Sequence, residues 1–246
     1  MKANELLNED PNLHLTHLED LALFQGKDGA VKAVDYLNNL AELAQSGSSK
    51  KFNGLTIKWD GSPAIFCGKD PADGKFFVGT KGVFNKDAKL NKTPEDIDAN
   101  HADTVQKGET KEKSGLRNKL KTALAELSKL GIENVLQGDL LFTEGDLKPI
   151  SYKGESYIAF KPNTITYAVQ SGSETAEKMQ NAKIGVVFHT AYSGESLDSM
   201  SASFDVDISG LQQNSSVWFD DAYIKDYTGV VNLTTGEFQA CLLYTS

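Results

Sequence analysis

The chain has 246 residues, 39% of them hydrophobic and 24% charged, with 25 Lys and Arg against 34 Asp and Glu. That length and balance suit one large folded domain or two small ones and exclude wholesale disorder. No run of about 18 apolar residues occurs, the N-terminus lacks the apolar core of a secretory signal, and two cysteines, Cys67 and Cys241, are too few for a disulfide scaffold or a four-thiolate zinc site.

These exclusions point to a cytoplasmic protein. The negative net charge of −9 is unevenly spread: residues 1–47 carry 3 basic and 8 acidic side chains, 48–129 carry 16 and 11, and 130–246 carry 6 and 15. Only the middle of the chain has the sign to face phosphates, although lysine-rich stretches also serve as plain solvated surface.

The first 47 residues are expected to form an N-terminal helical segment. Thr16-His17-Leu18-Glu19 has the form of a capping box, and Leu18, Leu21, Ala22, Leu23 and Phe24 follow it. The same box explains His14 and His17 without a metal. Gly26 to Gly29 punctuates, and Val31, Val34, Leu37, Leu40, Ala41 and Ala44 carry helical spacing over about 30–45.

Residues 48–246 read as a second domain. Leu55–Trp59 alternates like a strand, Ala64–Gly68 reads as its neighbour, Asp70-Pro71-Ala72-Asp73-Gly74 as a turn and Lys75–Thr80 as a third strand, so 52–80 is expected to be an antiparallel meander. Residues 85–115 show no clear period and read as a mobile, lysine-rich surface segment. Leu116, Leu120, Leu124, Leu127 and Leu130 predict a helix stopped by Gly131. Strands are expected at Asn134–Phe142, Tyr157–Phe160, Ile165–Val169 and Ile184–Thr190, with a short helix at Glu174–Asn181. The class is α+β with antiparallel sheets. The ending Ala240–Ser246 carries no closing element and reads as a truncation of a longer frame.

The segment Ile57-Lys58-Trp59-Asp60-Gly61-Ser62-Pro63-Ala64 concentrates the chemistry. A lysine amine attacks an electrophile only when deprotonated, and apolar walls such as Ile57, Trp59 and Ile65 with nearby cations favour that form. The plain alternative is an exposed turn in which Asp60-Gly61 makes a hairpin.

Lys58-x-Asp60-Gly61 resembles the first motif, K-x-D-G, of the covalent nucleotidyltransferases, which comprise ATP- and NAD-dependent DNA ligases, RNA ligases and capping guanylyltransferases. Three further segments follow in that superfamily's order. Phe77–Gly82 resembles the next motif, with Lys81 where ligases usually carry arginine. Val135–Leu141 resembles the hydrophobic-x-Gly-Glu-Leu motif, with Asp139 in place of Glu. Gly185–Glu195 resembles the motif ending in a base-stacking aromatic, here Phe188 followed by His189 rather than Asp. The resemblance covers roughly 52–195 and implies an antiparallel-sheet adenylation-domain fold. It implies Lys58 as the residue that becomes lysyl-AMP. Asp60 and Asp139 would contact ribose or a metal, Lys81 ribose or phosphate, and Phe188 the base, with Gly61 allowing a tight turn beside the nucleotide. ATP and Mg²⁺ or Mn²⁺ would be required. Each has an ordinary counterpart: Lys81 a solvated strand-end lysine, Asp139 a turn cap, Phe188 a core side chain.

The superfamily's later acidic-Gly and paired-lysine motifs are missing; Tyr227–Val231 lacks the acid, and no lysine follows Val231. The whole chain also looks like uncharacterised proteins of large tailed phages, with His14–Asp20, the Lys-Trp-Asp-Gly-Ser-Pro-Ala segment and Phe160-Lys161-Pro162-Asn163-Thr164-Ile165-Thr166-Tyr167. Pro162 holds Lys161 extended, where it faces phosphates or a nucleic-acid end, or stands in solvent. The basic residues Lys107, Lys111, Lys113, Arg117, Lys119 and Lys121 are the candidates for tracking an RNA or DNA backbone. ATP-dependent polynucleotide joining is the reading this supports. A GTP-using capping enzyme and a non-catalytic phage binding or structural module with the same fold are the alternatives.

Overall fold

A computed structural model describes residues 18–46, 56–106, 109–204 and 206–223. The capping box at Thr16, the histidines His14 and His17, Lys107, the 227–231 segment and Cys241 lie outside them. The described residues divide into two compact units, one of them Lys58–Ala222 and the other the residues before Lys58 together with Tyr223.

In the smaller unit, α1 (Leu18–Ser46) is broken where punctuation was expected: Gly26 has φ 60° and ψ −138°. Leu23, Phe24, Val31 and Val34 on it are exposed. Among the described residues no helix is long and apolar enough to cross a membrane.

The larger unit is α+β. Its main sheet contains β1 (Ala64–Lys69), β2 (Phe76–Gly79), β5 (Val135–Thr143), β9 (Ile184–Ser193) and β10 (Ser201–Ser203) in the antiparallel order β10-β9-β5-β1-β2. β9 gives one stretch of its outer edge to β10 and another to β11 (Val217–Asp221), which runs parallel to it and falls where no element was expected. A second antiparallel sheet contains β6 (Lys148–Tyr152), β7 (Glu155–Phe160) and β8 (Tyr167–Gln170).

Period-2 alternation divides the main sheet's side chains between two faces. Ile65, Cys67, Leu136, Leu140, Val186 and Phe188 pack against Leu120, Ala123 and Leu127 of α3 (Ser114–Leu127). That helix gives way to one tight turn and stops at Gly131, whose φ of 70° suits the left-handed residue after a helix. Burial raises the Cys67 thiol pKa, so Cys67 is inert core. On the other face Phe66, Phe77, Val135 and Tyr192 form one cluster. Leu141, Phe142 and Val187 form another with Phe160 of β7 and Met179 of α4 (Glu174–Asn181).

Two expectations are corrected. No strand forms between Ile57 and Pro63. The Asp60 amide donates to the Tyr167 hydroxyl, and only Ser62 and Pro63 reach the sheet, through Ser62 N–H to the Leu140 carbonyl and Leu140 N–H to the Pro63 carbonyl. The expected meander is therefore a two-stranded hairpin with an irregular lead-in. Residues 85–115 are also not a structureless segment. They contain α2 (Pro94–Asn100) and the hairpin β3 (Thr104–Gln106) with β4 (Glu109–Lys111). Thr93 and Asp96 make a full capping box around Pro94.

Candidate functional site

The Lys58–Ala64 segment is laid on the sheet by its last residues. Ala64 pairs with Asp139 on β5, and the cis Ser62–Pro63 peptide precedes it. Lys119 of α3 donates to the Ser62 carbonyl at 3.2 Å. Gly61 then lies directly over Asp139: a β-carbon there would stand 2.3 Å from the Asp139 Cβ and 3.0 Å from its Cα. Gly61→Ala is therefore expected to push the 58–62 segment off β5, at a cost of about 1–3 kcal/mol in chemical denaturation. A denaturation midpoint matching wild type would show that the segment is free to lift.

Three of the expected site residues meet here. The Lys58 side chain is exposed, and its positive charge acts on both Asp139 and Asp60. Asp139 is half-buried, and no described residue hydrogen-bonds or ion-pairs with its carboxylate. Burial raises its pKa to about 6, with the Lys58 charge opposing the shift and the Asp60 charge adding to it. Lys81 leaves β2 at the same end of the sheet. It opens a tight turn, Lys81–Phe84, just after Gly79, whose partner Phe66 lies near the start of β1, and its side chain is exposed.

Asp60 is tied to a distant turn. Its Oδ2 accepts the backbone N–H groups of Thr164 (2.7 Å) and Ile165 (2.8 Å), and its Oδ1 accepts the Asn163 side-chain amide (2.8 Å). These bonds, led by Ile165, hold its carboxyl below the usual carboxylate range. Both oxygens accept from the protein, so Asp60 clasps the 58–62 segment to the 163–165 turn. The clasp extends through aromatics. Trp59 packs on Tyr167 at 5.0 Å, and Tyr167 stacks on Phe160 at 5.4 Å. Asn163 and Tyr167 were legible only as members of the Phe160–Tyr167 segment; nothing local in the sequence pairs them with Asp60.

Phe188 is also corrected. It is fully buried, pairs with Gly138, and packs among the α3-facing core residues with the Phe219 ring 6.5 Å away. No base can stack on it in this structure. The next residue, His189, sits at a β-bulge opposite Gln137 and Gly138, with its Nδ1 2.8 Å from the Thr190 hydroxyl and its pKa lowered by burial. Tyr192 donates to the Gln137 side-chain oxygen nearby.

The basic stretch is not a uniform cationic track. Arg117 pairs with Asp103 at 2.7 Å and lies 3.8 Å from Asp98, which also holds Lys121 at 2.8 Å. Lys119 is spent on Ser62. Lys111 is exposed and Lys113 partly so. The acids responsible, Asp98 and Asp103, come from the segment expected to be structureless.

The chain matches, over residues 12–245, the model of a family of unknown function, DUF6267. The chain belongs to that family. Neither a search of curated proteins nor one of solved structures gives a match.

Proposed function

We propose that this DUF6267 protein is a ligase-type nucleotidyltransferase that works through a lysyl-nucleotide at Lys58. The observation that carries the reading is the meeting of an exposed lysine amine with a half-buried carboxyl, Asp139, that has no partner among the described residues, across the Gly61 contact. The order of the motif-like segments around them supports it.

In the proposed step the neutral Lys58 amine attacks the α-phosphorus of ATP. A P–N bond forms, the bond to the bridging oxygen breaks, pyrophosphate leaves and the amine gives up a proton to solvent. The nucleotidyl group would then pass to the 5′-phosphate of an RNA or DNA end. Lys81 suits a ribose or phosphate contact, being exposed at the same sheet end. Mg²⁺ or Mn²⁺ fits the free Asp139 carboxylate, because such ions commonly take one or two protein carboxylates, with phosphate oxygens and water completing the shell. The metal would supply neutralisation of charge on the phosphates.

A second reading, a nucleotide-binding module without the covalent step, is favoured by two observations: Phe188 is inside the core and Asp60 is committed to the 163–165 turn. Incubation of the full chain with α-labelled ATP or GTP and Mg²⁺ or Mn²⁺, followed by denaturing electrophoresis, separates them. A covalent label is expected on wild type and none on Lys58→Ala. The preferred nucleotide distinguishes ligase-like from capping-like chemistry. Binding without a label would favour the second reading.

A further inference from the structure

The turn that Asp60 clasps carries a lysine at a fixed place. Phe160 is buried and stacked on Tyr167, and the amides of Asn163, Thr164 and Ile165 are bound to Asp60. Lys161 lies between these two anchors, is exposed, makes no ion pair with a described residue, and is kept extended by Pro162. Each residue advances the chain by at most about 3.8 Å. Lys58 and Lys161 therefore both lie within about 8 Å of the clasp along the backbone, Lys58 two residues from Asp60 and Lys161 two residues from Asn163.

The Lys58 charge acts on Asp60, and a free carboxylate there would compete for that ammonium. Here its oxygens accept from three N–H donors, and Lys161 makes no ion pair with a described residue, so both side chains can turn to an external anion.

We infer that Asp60 is a positioning residue: its carboxylate fixes the 160–165 turn so that Lys161 joins Lys58 in holding the polyphosphate of a nucleotide. This rests on the proposed function only for the choice of ligand. Lys161 meets the β- and γ-phosphates as a point charge, and Asp60 acts through it without touching the ligand.

The test is calorimetric titration of the full 246-residue chain with inorganic tripolyphosphate, which needs no covalent chemistry. Lys161→Ala is expected to weaken binding about tenfold with an unchanged melting temperature, and Lys161→Arg to restore most of it. Asp60→Asn is expected to weaken binding by a similar factor although Lys161 is intact. The double variant should bind no more weakly than the worse single, because both changes remove the same contact. Asn163→Ala deletes one clasp bond and gives a smaller loss with the same non-additivity, so the inference stays testable if Asp60→Asn does not fold. Lys86→Ala, an exposed lysine that is not part of the clasp, is expected to have no effect.

Any of several results would overturn the inference: no tripolyphosphate binding by wild type, wild-type binding by Lys161→Ala, equal weakening by Lys86→Ala, or multiplying effects in the double variant. Failure of the covalent reading has a different signature, which is tripolyphosphate binding as expected with no label on Lys58.

Discussion

Replacing Asp139 with asparagine is expected to make the protein more stable at pH 8 and to leave its stability unchanged at pH 4. The carboxyl titrates near pH 6 in the folded chain because burial penalises its charged form, against about 3.9 in an unfolded one. The folded state therefore holds this proton more tightly. Stability is full below about pH 4, falls as pH rises through 6, and stays low above it. Asparagine mimics the neutral form at every pH. The gain above pH 6 is up to about 3 kcal/mol, or roughly 6–10 °C in melting temperature for a domain of this size. Denaturant titrations at the two pH values measure it, and an equal difference at both would refute the burial argument. Under the proposed function the same variant loses metal-dependent labelling of Lys58. Stabilisation together with loss of labelling would mark Asp139 as a group kept for chemistry rather than for the fold.

Phe188→Ala is expected to destabilise the larger unit by about 3–5 kcal/mol, the cost of emptying a large, fully buried aromatic site. Its neighbours come from β5, β11 and the α3-facing core, so little can collapse into the space. Phe188→Leu keeps most of the volume and is expected to cost no more than about 1.5 kcal/mol. It should leave nucleotide binding per folded molecule intact. A base-stacking role predicts the reverse, with stability kept and binding lost in Phe188→Leu. Equilibrium unfolding and nucleotide titration on this one variant decide between the two.

Both predictions turn on side chains that the one-dimensional pattern puts next to each other in kind but not in place. Asp139 and Phe188 each stand in a strand, and both strands were legible because β5 and β9 are long apolar runs bounded by turn residues. Which face each residue takes was not legible. β5 and β9 change register at Gln137/Gly138 and again at Leu140/Phe142, and each shift moves the following side chains to the other face.

Helices with strong local signals were readable from sequence. The leucine spacing of α3, its stop at Gly131 and the bounds of α4 all appear as expected. α2 carried a signal too, Thr93-Pro94-Glu95-Asp96, but its seven residues are too short for a hydrophobic period to stand out. The parallel strand β11 had no such mark, because pairing with β9 depends on a partner some thirty residues earlier in the chain.

By itself the sequence determined the α+β class, the long strands and helices, and the lysine-bearing segment from Lys58 to Ala64, because these depend on local period and turn chemistry. Only the tertiary structure decided which charges remain free. Asp60 is consumed by backbone amides more than a hundred residues away, Arg117 and Lys121 are matched by Asp98 and Asp103, and Asp139 is left half-buried beneath Gly61 with the Lys58 charge close enough to act on it. A hydrogen bond or ion pair is made at about 3 Å through space, and separation along the chain does not report that distance.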